Sequence, residues 1–264
     1  HKVTLKGAGD SKPTISGGTI TFGSSANEST VSNLTFQCGG TNYAVAQSVK
    51  IYGASNVKIE NCDFKIEDAC NYQTDTNGNS TSKTQFTSIW IQNAAENPSD
   101  NAIIKDCNFN FSNCAAGSTN VAIAIQSLNN SQYPANVQIT NNHFKSTVKA
   151  RLKTDNAEEL YSGNSISVLT FGTEATLTIE GNQFEEVGGD GGSQHQTESY
   201  ASMQAVELGG NVENAQIFDN DFTNSYIGVT VFMQGYQSVD SNASPNKATI
   251  LNNRFTNVVC GVCI

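Results

Sequence analysis

One six-residue phrase recurs along nearly the whole chain. It reads Val31-Ser-Asn-Leu-Thr-Phe36, Ile59-Glu-Asn-Cys-Asp-Phe64, Ile104-Lys-Asp-Cys-Asn-Phe109 and Ile139-Thr-Asn-Asn-His-Phe144, then Ile179-Glu-Gly-Asn-Gln-Phe184, Ile217-Phe-Asp-Asn-Asp-Phe222 and Ile250-Leu-Asn-Asn-Arg-Phe255. Successive Phe residues are 28 (64 − 36) to 45 (109 − 64) positions apart, so the unit is constant and its connections vary. Self-similarity at this period means stacked units that share one continuous core.

A short alternating strand precedes the later copies: Val49-Lys-Ile51-Tyr, Ile89-Trp-Ile91-Gln, Ile123-Ala-Ile125-Gln, Ile166-Ser-Val168-Leu, Val206-Glu-Leu208-Gly and Val229-Thr-Val231-Phe. Ile20-Thr-Phe22 opens the series and Val262-Cys-Ile264 begins one more coil. Alternation with period two places one face inside and one outside. Each coil therefore reads as strand, turn, strand, tight Asn-containing bend, short strand through Phe, and loop. The fourth phrase position carries Leu34, Cys62, Cys107, Asn142, Asn182, Asn220 and Asn253. Stacked about 4.8 Å apart, inward Asn side chains can bond one another and the backbone as a ladder, with Cys as a small apolar stand-in.

This pattern resembles the right-handed parallel β-helix of the pectin-lyase-like superfamily, with its "V-x-I-x-N-N-x-F" phrase, from about Lys2 to Ile264. The resemblance implies an all-β solenoid of about seven to eight coils with an internal Asn/Cys ladder, and residues 1–264 forming a single β-helix domain. It implies no particular activity. Val137-Gln-Ile139-Thr-Asn-Asn142-His-Phe144 also fits a leucine-rich repeat, but such repeats run about 20–29 residues and lack the second strand.

The balance of 14 basic and 24 acidic residues, a formal charge of -10, argues against nucleic acid and against an acidic membrane surface. Only 14% of residues are charged, a balance common in extracellular β proteins. No apolar run approaches the roughly 20 residues of a membrane span, and the start lacks the basic and apolar regions of a signal peptide. An extracellular or cell-surface location is expected. The seven cysteines are not arranged as a zinc site, and neither metal nor cofactor is expected. Cys70 and Cys114, at similar distances after their Phe residues, are the first disulfide candidates, and Cys62 with Cys107 is open between bridge and buried thiols. Cys38 and Cys260 are expected in the core, Cys263 as an odd outward thiol. Both ends read as uncapped strands, so the chain is expected to be a segment of a larger protein, or to stack on other copies or flanking domains.

Outward positions of the alternating strands read Thr21, Lys50, Tyr52, Trp90, Gln92, Ala124, Gln126, Ser167, Leu169, Glu207, Thr230 and Phe232. In the family this face and its flanking loops hold polysaccharide, and Trp90, Tyr52 and Phe232 with Gln92, Gln126, Lys50 and Arg151 are the expected binding set. Aromatic rings stack on sugar C–H faces while amides meet hydroxyls. Trp90 could equally pack beneath the segment 65–88. For catalysis the residues offer Glu207, with Asp190, His195 and Glu198 in the Gly-rich stretch before it, as two carboxyls can cleave a glycoside. The polygalacturonase residue set of the family is absent, and Arg151-Leu-Lys153 carries one fragment of it without its partners. Asp190 and His195 read equally well as surface polar residues, and Asp219 and Asp221 as bend residues. Six N-x-S/T sequons, at Asn27, Asn33, Asn79, Asn110, Asn129 and Asn242, are weak signals in so Asn-rich a chain. Two functions fit: an extracellular β-helix that binds or cleaves a glycan, or a structural or adhesive segment that assembles end to end.

Overall fold

The computed structural model describes residues 1–9, 11–38, 47–66, 73–74, 80–82, 85–94, 96–111, 119–126, 133–146, 164–187, 203–232 and 246–264. Three parallel sheets of eight strands each wind into a three-sided solenoid, the parallel β-helix expected from the repeat. Sheet I holds the alternating strands, from Ile20–Phe22 through Gln47–Tyr52, Gln85–Gln92, Thr119–Gln126, Asn164–Thr170, Met203–Leu208 and Ile227–Val231 to Cys260–Cys263. Sheet II carries the aliphatic start of each phrase, from Thr4–Lys6 to Ala248–Leu251, and sheet III its Phe, from Thr14–Ser16 to Arg254–Thr256.

Between sheets II and III the chain turns at Asn33, Asn61, Asp106, Asn141, Gly181, Asp219 and Asn252, all with positive φ. Asn, Asp and Gly tolerate this left-handed conformation, which explains the short polar residue in front of every ladder position. The next residue then points inward. Asn142, Asn182 and Asn220 are buried, and each accepts the next-lower rung: Asn142 N and Nδ2 donate to Asn182 Oδ1 at 2.9 and 3.1 Å, and Asn182 N and Nδ2 to Asn220 Oδ1 at 2.9 and 3.0 Å. The second amide hydrogen of Asn182 reaches Ile139 O at 2.9 Å. The carboxamide ladder ends where Cys107 N donates to Asn142 Oδ1 at 3.0 Å. Cys62 and Cys107 continue the column as buried free thiols, and burial pushes the Cys107 thiol up.

Two residues further along each coil, Phe36, Phe64, Phe109, Phe144, Phe184, Phe222 and Phe255 stack with ring centroids 4.7–5.0 Å apart and planes within 11°. The coil repeat enforces this parallel stack. It also demands room on the opposing sheet, where register places Ser48, Ser88, Ala122, Ser167, Ala205, Gly228 and Gly261 in one row. A Cβ on Gly228 would sit 2.5 Å from Phe255 Cε1.

This row corrects the simple alternation. Residues 122 and 123 both belong to the central core, so two consecutive positions face inward in each sheet I strand. Ser167, expected outward, is buried in this row. Positions three apart then share the outer face, and Cys260 and Cys263 are joined there as a disulfide. Cys260 is therefore not a core thiol and Cys263 not an odd one. Cys70 and Cys114 lie outside the described residues, as does the side chain of Cys38.

Candidate functional site on the outer face of sheet I

With two inward residues in each strand, the outer face of sheet I carries three rows. The central row is Thr21, Lys50, Trp90, Ala124, Leu169, Glu207, Thr230 and Cys263, aligned by the strand register. One flank contains Val121 and Gln204, and the other Tyr52, Gln92, Gln126 and, just past its strand, Phe171. Successive strands are about 4.8 Å apart, so Trp90 and Glu207, three strands apart, are separated by roughly 14 Å along the helix axis.

Lys50 forms one end. Its ammonium lies over two aromatic rings, 4.6 Å from the Tyr52 centroid and 5.2 Å from that of Trp90. It is half-buried and has no carboxylate partner among the described residues. The two rings hold the cation in place without neutralising it.

Next along the row is an apolar strip. Val121, Ala124 and Leu169 form a buried cluster separate from the central core, and Trp90 and Phe171 pack against it. Trp90 is half-buried, so part of its ring remains open, while its Nε1–H is enclosed without a hydrogen-bond partner. Its ring packs on neighbours of its own sheet and still presents surface; the segment 65–88, expected as an alternative cover, lies largely outside the described residues. Gln92 departs further from expectation. It lies on the outer face yet is fully buried, with neither amide atom partnered. Gln126, Tyr52 and Phe232 are half-buried.

Glu207 closes the row at the other end, next to Leu169 and Thr230. It is the sole acidic residue in the eight strands of sheet I. Although outward in phase, it is only 4% exposed. Burial raises its pKa to about 7, and among the described residues no charged or hydrogen-bonding neighbour offsets that burial. The adjacent Thr230 hydroxyl is also enclosed without a partner.

Asp190, His195, Glu198, Arg151 and Lys153 lie outside the described residues. Among the described residues no group of three metal-ligating side chains occurs. Nor is any helix among them long and apolar enough to cross a membrane. Sequence reasoning overlooked Val121 and Phe171. Val121 stands three positions before Ala124, a spacing that looks outward only once the paired inward residues are known.

No protein-family model matches the chain, and no curated protein matches it. Among solved structures, it is similar to the catalytic domain of a GH87 alpha-1,3-glucanase variant in complex with nigerose, with TM-score 0.37 and 11% identity over 100% of this chain. Another structure of such a domain, in complex with tetrasaccharides, gives TM-score 0.27 and 13% identity. The chain spans 59% of the length of either domain, and at these values the likeness is one of coil architecture.

Proposed function

We propose that this chain is a glycan-binding β-helix whose saccharide site runs along the outer face of sheet I. The observation that carries the reading is the row Lys50, Trp90, Ala124, Leu169: a fixed cation and a part-open indole continue into an apolar strip. Sugar rings have apolar C–H faces that gain by stacking on the open part of the Trp90 ring, which the buried strip holds in place, and hydroxyls that need planar donors and acceptors beside it. Gln126, half-buried two strand positions beyond Ala124, supplies such an amide. The strand spacing of about 4.8 Å is close to the length of one sugar ring, so a saccharide lying along the axis meets one new side chain per coil.

Binding is the coarser and better supported activity. Glycoside hydrolysis by the usual acid and base takes two carboxyl groups, and the described strands of sheet I supply one. The same reading makes residues 1–264 one β-helix domain of an extracellular or cell-surface protein, supported by the Cys260–Cys263 disulfide, which persists in oxidising compartments.

The test is Trp90→Phe, which keeps an aromatic body on Val121, Ala124 and Leu169 while removing the N–H and half the stacking surface. Isothermal titration against a panel of neutral and charged oligosaccharides should show a ligand for the wild type. Its affinity should fall by about 1–2 kcal/mol in the variant, on the scale of an aromatic hot spot. Unchanged affinity for every ligand found would remove Trp90 from the site, and a panel with no ligand at all would end the reading.

A further inference from the structure

Glu207 is the group on this face that the neutral-sugar reading leaves unused. It is a carboxyl at 4% exposure with no hydrogen bond or ion pair among the described residues. Across the sheet it meets Leu169 and Thr230, neither of which titrates, and the nearest cation in its row is Lys50, four strands or roughly 19 Å away. An ionised carboxylate so placed is costly unless a cation joins it. The Thr230 hydroxyl beside it is a second enclosed group without a partner. The Glu207 oxygens, unlike that hydroxyl, are not fully enclosed.

We infer that the Glu207 end of the row is a subsite for an amino sugar, in which the ligand's primary ammonium pairs with the Glu207 carboxylate. This rests on the saccharide reading of the same face and names its substrate class. An N-acetylated sugar fails because its amide is uncharged and cannot pair with the carboxylate. The chain's net charge of -10 draws a cationic glycan toward the whole surface. Lys50 at the far end repels an ammonium there, so the ligand is held in one direction: a ring on Trp90, and an amine about three sugars along. Binding needs Glu207 ionised, so affinity rises as pH rises through about 7, until the sugar amine itself loses its proton.

The probes are a glucosamine oligomer of four or so units, its fully N-acetylated counterpart and a neutral glucan oligomer of equal length, the span of four strands. Each is titrated into wild type and Glu207→Gln at a pH just above the Glu207 midpoint, at low and at moderate salt. The expected result is a preference of about tenfold or more for the amine form over the acetylated form. It should be lost in Glu207→Gln and, for the wild type, lost well below the midpoint pH. Equal binding of the two forms overturns the amine subsite and leaves the saccharide reading standing. A preference that survives Glu207→Gln and vanishes with salt also overturns it, since the diffuse charge alone would then account for it. If none of the three probes binds either protein, the subsite and the reading fail together. The pH profile of the wild type decides the matter independently should the Gln variant misfold.

Discussion

At the scale of single residues, Glu207 sets the clearest physical conflict in the molecule. Burial lifts its pKa from 4.5 to about 7, so the folded state prefers the protonated form and the unfolded chain does not. For an acid raised in this way the sign is unusual. The contribution to stability is present in full below the unfolded pKa and is lost as pH rises through the folded one. A rise of 2.5 (7 − 4.5) corresponds to about 3 kcal/mol of stability lost between acidic and mildly alkaline pH. Glu207→Gln cannot ionise and should flatten this part of the profile, being more stable than wild type above the midpoint. Urea unfolding across the pH range checks it, and parallel wild-type and variant profiles would show that Glu207 is not buried in the free protein. The residue's outward phase was legible in Val206-Glu-Leu208. Its burial was not, because that depends on Leu169, a strand earlier and 38 positions back (207 − 169), and on how tightly the face closes around it.

At the scale of the element, the ladder and the Phe stack were readable from the phrase alone, because a position that repeats in seven coils must meet its own copies. Asn182 shows what such a position holds: it accepts two bonds from Asn142 and donates to Ile139 O and Asn220 Oδ1. Asn182→Leu strands those partners inside the core and should cost about 1–3 kcal/mol in chemical unfolding. A Leu variant as stable as wild type would mean the amides re-pair without it. The double inward step of sheet I was not legible, since Ser48, Ser88, Ala122, Ser167, Ala205, Gly228 and Gly261 form no uniform residue type. They share only smallness, and smallness has meaning only opposite a Phe stack. Once it is known, the Cys260–Cys263 pairing and the Val121–Ala124 cluster both follow from positions three apart facing out. Gly228→Ala tests this row. The added methyl would lie 2.5 Å from Phe255 Cε1 and 2.6 Å from Gly261 O, so the last coil must shift, at about 1–3 kcal/mol. A thermal midpoint equal to wild type would place residue 228 on the outer face instead.

At the scale of the whole molecule, each coil is held chiefly by its two neighbours, because the described strands of the three long sheets pair only in coil order, and the bond from Asn211 Nδ2 to Tyr133 Oη at 2.8 Å reaches past one coil. Stability is then a sum of coil terms and interface terms, with no single element closing the structure. The interior coils bury their apolar residues almost completely, as with Ile104, Ile139 and Ile179 at 0% exposure. The end coils of this 264-residue chain do not: Val3, beside the first strand, is 48% exposed, Leu251 57% and Val259, beside the last strand, 62%. Amide exchange should therefore be graded along the axis. The amides of Asn142 and Asn182, bonded to the next carboxamide in the buried ladder, should exchange only by openings near the global unfolding free energy, and those of Thr4–Lys6 and Ala248–Leu251 by local fraying. The central row of the outer face runs from Lys50 to Glu207 across coils that are paired on both sides, so this face should keep interior-like protection while the end coils fray. Exchange measured by mass spectrometry resolves the gradient peptide by peptide. Uniform protection from first coil to last would mean that the solenoid opens as one unit, and that the face proposed to hold sugar is no more rigid than its ends.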